Sequence, residues 1–282
     1  MIKVIDPGFY TSIQDKGRFG FQNYGIPVSG CMDENSAEIA NQILGNLTSS
    51  ALLELTMTGC SLEFEKDTII AVTGSDMNAK LNSFSIQMYN KIDVKEGDLL
   101  SFGRFEYGFR TYIAFQGGIK SEKVMKSRSM YNGITKSFKI QKNDQIILNN
   151  SVNESRSINQ EKIKKLVIFD HIDCYKGPEF HKLSKENKEI LLKKEFSISN
   201  NHNRMGYILE QNLKNNINPI LTSHVMPGTV QLTPGGKIII LMRDCQTTGG
   251  YPRILQLTNN GINMLSQKMT NSVIKFNIKE IS

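Results

Sequence analysis

The segment from Lys237 to Leu257, KIIILMRDCQTTGGYPRILQL, combines side chains that can recognise a small ligand with strands that can hold them. Asp244 supplies an anionic acceptor, while Gln246, Thr247 and Thr248 supply neutral donors and acceptors. Polar groups concentrated between two apolar runs are typical of the floor of a binding site. A polar turn capped by its own side chains fits the same residues, and the pattern alone leaves both interpretations open.

Two apolar, β-branched runs flank this polar centre, Ile238–Met242 and Ile254–Leu257. Short apolar runs bounded by Gly and Pro are typical of buried strands. The pattern therefore predicts a strand, a tight turn at Gly-Gly-Tyr-Pro and a second strand. Gly249 within this turn permits either a positive φ or a close approach by another group. Tyr251 adds a hydroxyl and an aromatic face to the candidate site.

A second polar group lies in the glycine-rich segment PGFYTSIQDKGRFGFQNYGIPVSG near the N-terminus. Its glycine and proline content predicts a loop or an irregular hairpin. Gln14, Asp15 and Arg18 form a trio within it that is able to bind a ligand. An arginine in such a loop also occurs as a structural ion-pair partner, so the trio alone does not decide its role.

The remaining pattern predicts a mainly β protein with a few helices, divided into two β-rich domains. Ala37, Ala40, Ile43 and Leu44 recur at helical spacing, which predicts a helix at about 33–45, capped by Asp33 or Ser29 and ended by Gly45. Short alternating runs from residue 51 to 148 predict a meander of strands. We expect an N-terminal domain over 1–150, a polar linker near 150–165 and a C-terminal domain over 165–282, with further helices near 183–194 and 257–267.

Composition restricts the class of function. The chain has 282 residues, a net charge of +7 and a pI near 9.1, but its lysines form no dense basic run, which argues against nucleic-acid binding. No apolar run approaches the roughly 20 residues of a membrane span, and we expect the first residues not to act as a signal peptide. Four widely spaced cysteines and four scattered histidines predict free thiols in the cytoplasm and no metal site.

Several longer stretches together resemble the allophanate hydrolase subunit 2 family, also called the KipA or biotin-dependent carboxyltransferase-like family. The resemblance covers essentially the whole chain. It is carried by TSIQDKGRFGFQNYGIPVSGCMDENSAEIANQILGN, LELTMTGCSLEF, IAVTGSDM, GFRTYIAFQGGI, SRSMY, NRMGYIL, PGTVQL and DCQTTGGYPRI.

The resemblance implies two β-rich domains with cyclophilin-like β-barrel character. It also implies the C-type subunit of an ATP-dependent 5-oxoprolinase, inactive alone. The expected partners are a B-type subunit of the KipI or allophanate hydrolase subunit 1 type, together with a ring-opening A-type subunit. ATP with Mg²⁺ would be the co-substrate of the complex, and no biotin would be attached covalently to this chain. A regulatory protein that antagonises a histidine-kinase inhibitor, or a carboxyltransferase acting on urea with carboxybiotin, remains open.

Activation of a lactam requires groups that read its amide, a carboxylate and cations in a dry cleft. We therefore predict that Asp244, Gln246 and Arg204 are catalytic, and that the amide-reading residues and those of the N-terminal loop share one cleft. The predicted substrate-binding residues are Gln14, Asp15, Arg18, Arg128, Thr247, Thr248, Gly249 and Tyr251.

The sequence departs from the family pattern at several positions. Lys126 occupies the position of the usual glycine before SRS, and Met130 that of the usual threonine after it. His202 replaces the serine before NRMGY, and residues near Gly261 and 269–272 replace an acidic residue and a turn. The changes at Lys126 and Met130 fall in a candidate binding loop and therefore bear on the identity of the substrate.

Overall fold

In a computed structural model, which describes residues 1–149, 163 and 165–280, the chain divides into two compact units. The first comprises residues 1–18 and 29–167, and the second residues 19–28 and 168–282. Residues 19–28 thus group with the second unit, whereas the sequence suggested a continuous N-terminal domain. Most of the predicted linker near 150–165 lies outside the described residues, so the linker stays a prediction.

The first unit is a β-sandwich with a helix, α1 (Glu34–Ile43). Its six-stranded sheet has the order β11-β1-β4-β9-β6-β7, and its five-stranded sheet the order β2-β3-β10-β5-β8. These strands are β1 (Ile2–Asp6), β2 (Tyr10–Gln14), β3 (Leu52–Thr56), β4 (Ser61–Phe64), β5 (Thr68–Asp76), β6 (Lys80–Leu81), β7 (Phe84–Ser85), β8 (Ile92–Val94), β9 (Leu99–Ser101), β10 (Tyr107–Phe115) and β11 (Gln145–Ile146).

The core of the first unit follows from strand alternation. Leu53 and Ile113 face the six-stranded sheet and share a buried cluster with Leu62 and Phe64. The opposite face of the five-stranded sheet packs against α1 through Leu52. This face also carries buried polar residues in register, because Ser12 pairs with Glu54 and Glu54 pairs with Tyr112.

The predicted helix at 33–45 is confirmed, with Asp33 rather than Ser29 as its N-cap. The Asp33 carboxylate accepts from the backbone N–H of Ser36 at 3.1 Å and from its hydroxyl at 2.6 Å. Gly45 follows the helix with φ of 71°, a left-handed conformation that favours glycine. The segment predicted as a loop or an irregular hairpin instead begins with a strand, since β2 pairs along its whole length with the distant β3.

The second unit contains a closed barrel in the order β12-β19-β16-β17-β14-β13-β20. The predicted helices near 183–194 and 257–267 are confirmed as α2 (Lys185–Lys193) and α3 (Asn259–Ser266). The strands are β12 (His171–Lys176), β13 (Phe196–His202), β14 (Gly206–Asn212), β15 (Ser223–His224), β16 (Thr229–Leu232), β17 (Lys237–Leu241), β18 (Thr248–Gly249), β19 (Arg253–Leu257) and β20 (Val273–Ile278). The mainly β fold class, with helices in the minority and barrel character, is thereby confirmed.

Candidate functional site

The outer face of the barrel carries a cavity of about 430 Å³, a size typical of small-molecule sites. The register of the barrel strands shows which residues form the base of this cavity. Gln231 of β16 pairs with Ile239 of β17, and Ile239 pairs with Ile208 of β14. The intervening residues Val230 and Ile240 are fully buried and, by alternation, face the barrel interior. The row from Gln231 to Ile208 therefore lies outside the barrel, where it forms the base of the cavity.

The lining of this cavity combines apolar side chains with neutral polar ones and contains a single imidazole. Apolar side chains from β14 and β17 lie at the base, and His202 and Tyr251 also line the cavity. None of the described residues that line it is an aspartate, glutamate, lysine or arginine. Carboxamide side chains, which both donate and accept hydrogen bonds, supply most of the polar groups. They are Asn200, Asn201, Asn203, Gln231 and Gln246.

Gln231 is one of the polar lining residues that the sequence interpretation missed, together with Asn200, Asn201 and Asn203. It is only 1% exposed, and its Nε2 atom makes no hydrogen bond within the described part of the chain. Buried amides without a partner are rare because desolvation costs about 1–3 kcal/mol. The available signal was a carboxamide between two apolar residues of the short segment TVQL, which lies between two Pro-Gly turns. Only the strand register shows that this residue faces the cavity.

Gly249 lies directly against the Gln231 amide, which leaves no room for a side chain at this position. A Cβ built on Gly249 would lie 2.7 Å from Nε2 of Gln231, closer than a carbon atom can approach. Of the two alternatives predicted for this glycine, the close approach is therefore the one observed. Gly250 has no such neighbour, since its built Cβ would lie 3.4 Å from the nearest atom, the carbonyl oxygen of Ile220.

The rest of the motif DCQTTGGYP is divided between the cavity and its support. Gln246 and Tyr251 line the cavity, and both are exposed at its opening. Thr247 accepts a hydrogen bond at its carbonyl from the N–H of Val225, and Thr248 is an exposed residue of β18. The two strands predicted on either side of the motif are observed as β17 and β19, and they are not neighbours, because β16 lies between them in the barrel.

Asp244 and Arg204 form a buried, two-pronged ion pair. Nε of Arg204 donates to one carboxylate oxygen at 2.7 Å, and a terminal nitrogen donates to the other at 3.1 Å. The backbone N–H of Asp244 also donates to the carbonyl of Arg204 at 2.9 Å. The pair thus joins the turn before β14 to the turn after β17. Both turns contribute cavity residues, namely Met205 and Gln246. The catalytic role of the pair stays a prediction, and its geometry is that of a positioning clamp.

A second ion pair, between Arg253 and Glu179, holds β15, the strand that pairs with β18. Arg253 donates to both carboxylate oxygens of Glu179, at 3.0 Å each, and to the hydroxyl of Ser223 in β15 at 2.8 Å. Hydrogen bonds from Arg253 hold the pKa of Glu179 below its usual 4.5. Since β15 pairs with β18, this arrangement fixes the strand that carries Gly249.

Cys245 lies within the motif but is not an activated thiol. It is 4% exposed, and burial raises its pKa to about 12. A thiol with so high a pKa is protonated at neutral pH and is a poor nucleophile. All four cysteines are buried and none of them forms a disulfide, as the spacing predicted.

In the first unit, Asp15 is the centre of a hydrogen-bond network. One carboxylate oxygen accepts from the N–H of Gly17 and from the hydroxyls of Ser127 and Ser129, at 2.6–2.8 Å. The other accepts from the N–H of Arg128 at 2.6 Å. Asp15 therefore ties the segment after β2 to the segment SRS, which lies more than a hundred residues later.

Gln14 and Arg18 belong to the same assembly and are both fully buried. The Gln14 amide donates to the hydroxyl of Ser12 at 3.0 Å and to the carbonyl of Met130 at 3.3 Å. Arg18 donates to the hydroxyl of Ser29 and to the carbonyl of Ser129. These contacts support the loop, and the predicted substrate contacts of Gln14 and Arg18 stay predictions.

Arg128 differs from its neighbours because its side chain is half-buried and its guanidinium makes no hydrogen bond or ion pair among the described residues. Its backbone is fixed by Asp15, while its five N–H donors remain available. A guanidinium in this state suits a carboxylate or a phosphate. Arg128 belongs to the first unit and the barrel cavity to the second, so the predicted shared cleft stays a prediction.

Lys126 adopts a left-handed conformation in the turn that precedes SRS. Met125 and Lys126 have φ of 51° and 66°, and Val124 and Ser127 exchange both backbone hydrogen bonds across them. A side chain at such φ costs about 1 kcal/mol or more compared with glycine. The backbone therefore accounts for the glycine that the family pattern has at this position.

We expect Lys126→Gly to raise the free energy of unfolding of the first unit by about 0.5–1 kcal/mol, because the left-handed strain is relieved. Chemical denaturation monitored by tyrosine fluorescence measures the change. The matched control is Lys120→Gly: Lys120 is exposed and lacks positive φ, so its replacement should give no stabilisation. An unchanged or lowered stability in Lys126→Gly would contradict the assignment of strain.

In the described part of the chain, no helix has the length and apolar character needed to cross a membrane.

Two β-rich units, one of them a barrel with a carboxamide-lined cavity, define a β protein suited to binding a small polar molecule. The chain belongs to the family described as "Carboxyltransferase domain, subdomain A and B", whose model matches residues 24–278. The family resemblance found in the sequence is thereby confirmed.

Similar proteins agree with this assignment. The C subunit of 5-oxoprolinase from Escherichia coli is 35% identical over 90% of this chain and 83% of its own length. The C subunit of 5-oxoprolinase from Haemophilus influenzae is 29% identical over 98% of this chain and 90% of its own length. The crystal structure of the K. lactis urea amidolyase matches with a TM-score of 0.88 at 26% identity. That match covers 98% of this chain but only 18% of the amidolyase chain.

Proposed function

We propose that this chain is the C-type subunit of an ATP-dependent 5-oxoprolinase and acts in a complex that opens the lactam 5-oxoproline to glutamate. The similarity to two proteins named as the C subunit of 5-oxoprolinase, over nine-tenths or more of the chain, carries the proposal. The partners are a B-type subunit of the KipI or allophanate hydrolase subunit 1 type, together with a ring-opening A-type subunit. ATP enters with Mg²⁺ as co-substrate.

The carboxamide-lined cavity supports this proposal on chemical grounds. A lactam is a neutral, planar group with one donor and one acceptor, and the cavity offers mainly neutral groups that donate and accept. Exposed Gln246 and Tyr251 leave the opening in contact with water, where the carboxylate of 5-oxoproline stays solvated. Phosphorylation of a lactam oxygen also requires cations around the transferred phosphoryl group. Among the described residues of the first unit, Arg128 is the candidate for such a cation.

The test is reconstitution. We expect the chain alone to be inactive, and the complex with its two partner subunits to hydrolyse ATP in a 5-oxoproline-dependent manner with glutamate as product. Turnover by the isolated chain, or an assembled complex whose ATP hydrolysis ignores 5-oxoproline, would reject the proposal. A partner complex without any turnover would favour the regulatory alternative.

Carboxyl transfer is the second candidate, favoured by the structural match to the K. lactis urea amidolyase. In that case the cavity would hold urea, which is also a neutral planar amide. The same reconstituted complex should then carboxylate urea when supplied with a biotin carboxylase, a biotinylated carrier, ATP and bicarbonate. Incorporation of labelled bicarbonate into an acid-labile product distinguishes this reaction from 5-oxoproline-dependent ATP hydrolysis.

We expect Arg128→Ala to lower kcat/KM of the reconstituted complex for 5-oxoproline at least tenfold, because a charge-assisted contact contributes about 1.5–3 kcal/mol. The midpoint of unfolding should change little, since the guanidinium makes no hydrogen bond or ion pair among the described residues. Arg104→Ala is the matched control, an exposed arginine of the same unit that also has no ion pair among the described residues. Equal activities of the two variants would remove Arg128 from the site.

A further inference from the structure

The Gln231 side chain is a buried carboxamide at the base of the cavity whose hydrogen-bonding capacity the surrounding residues do not fully use. Nε2 of Gln231 is buried at the base of the cavity and has no hydrogen-bond partner among the described residues, although water or carbonyl groups satisfy most buried amides in proteins. Its neighbours at the base, Ile239, Leu241 and Ile208, are apolar and offer no acceptor from their side chains. A ligand in the cavity can supply the hydrogen-bond partner that the described residues do not give this amide.

A lactam is chemically complementary to this amide. The ring holds the lactam in the cis form, so that its N–H and its C=O lie side by side on one edge. A glutamine side chain likewise presents its carbonyl oxygen and one N–H on one edge. The two edges can pair through two hydrogen bonds in a ring, with each group both donating and accepting. A lactone or an N-methyl lactam has lost the donor and can form at most one of these bonds.

We propose that Gln231 is the specificity-determining residue of the cavity and pairs edge to edge with the cis amide of a lactam. This inference takes the lactam substrate from the proposed function, but it concerns binding and not turnover. Gly249 is the positioning residue for this pairing, because any side chain there would displace the Gln231 amide.

Binding to the purified full-length chain tests the inference without ATP or partner subunits. The probes are 2-pyrrolidinone, γ-butyrolactone and N-methyl-2-pyrrolidinone, three rings of similar shape, followed by saturation-transfer NMR titration. We expect the unmodified chain to bind 2-pyrrolidinone at least tenfold more tightly than the other two, since a site built for a donor rejects analogues that lack it. Gln231→Leu should lower the affinity for 2-pyrrolidinone at least tenfold and abolish the discrimination.

Two further observations separate recognition from folding. Gln231→Leu should leave the midpoint of unfolding unchanged or raise it, because the variant buries an apolar group in place of an amide without a partner. Gly249→Ala should weaken 2-pyrrolidinone binding as Gln231→Leu does, whereas Gly250→Ala, whose Cβ has room, should not. Neither glycine has a positive φ, so neither replacement strains the backbone.

The inference is overturned by any of three results: no binding of 2-pyrrolidinone to the unmodified chain, equal binding of the lactam and the lactone, or full binding by Gln231→Leu. Its failure is distinguishable from failure of the proposed function. If Gln231→Leu supports normal 5-oxoproline turnover in the reconstituted complex, the function stands and the role of Gln231 falls. If the chain discriminates lactam from lactone but the complex shows no 5-oxoproline-dependent turnover, the role of Gln231 stands and the proposed function is rejected.

Discussion

Replacing Asp244 with asparagine should lower the free energy of unfolding of the second unit by about 3 kcal/mol. The side chains of Asp244 and Arg204 are 8% and 9% exposed, and both carboxylate oxygens accept from the guanidinium. Asparagine retains one acceptor but turns an NH₂ group toward an arginine N–H. It also leaves the buried guanidinium without this carboxylate, and breaking a buried pair in this way costs about 3–5 kcal/mol. Thermal unfolding should shift down by roughly 6–12 °C.

The same variant decides whether Asp244 is also catalytic. As a positioning clamp, it should leave kcat of the folded complex within about threefold of normal at a temperature well below the transition. As a general base, Asp244→Asn would lose roughly 100-fold or more in rate. Glu189→Gln serves as the control, because Glu189 and Lys193 form an exposed i,i+4 pair whose loss should cost less than about 0.5 kcal/mol. A midpoint as little changed as that of the control would contradict the clamp.

Periodicity was sufficient to predict much of this fold. The helix at Glu34–Ile43 has a strong cap and a one-sided apolar face, and strands such as β17 and β20 are short apolar runs with clear ends. These signals are local, so a single sequence contains them. The pairing of strands is not local: β17 and β19 flank one motif, yet β16 lies between them. β2 was missed because its glycine-rich flanks predict a loop, while its pairing with a distant strand overrides them.

The candidate site was predicted only in part, because strand pairing, which is not a local property of the sequence, decides which residues face the cavity. Gln246 and Tyr251 are polar residues that line the cavity and that the motif itself contains. Gln231 escaped notice because its importance depends on which face of β16 it occupies, and that follows from pairing with Ile239. Asp15 looked like a ligand-binding group, since a sequence shows a carboxylate but not the donors that already occupy it. Its contacts with Ser127 and Ser129 join segments that are far apart in the chain.

Asp15→Asn should destabilise the first unit by about 1.5–3 kcal/mol, the range for losing a hydrogen bond to a charged group. Each carboxylate oxygen accepts from a backbone N–H, that of Gly17 on one side and that of Arg128 on the other, at 2.8 and 2.6 Å. An asparagine has one oxygen. In either orientation its NH₂ group must therefore face a backbone N–H, which leaves that donor unpaired in a partly buried loop.

The matched control for this variant is Asp144→Asn in the same unit. The Asp144 carboxylate accepts from the N–H of Gln141 at 2.8 Å through one oxygen, and its other oxygen has no partner within the described residues. An asparagine there can keep its oxygen on the N–H, so its stability should change little. We expect denaturation to separate the two variants by about 2 kcal/mol. We also expect Asp15→Asn to lower the activity of the complex, because the backbone that holds Arg128 is released. Equal stability of the two variants would show that Asp15 does not hold the SRS segment, and the placement of Arg128 would then need another cause.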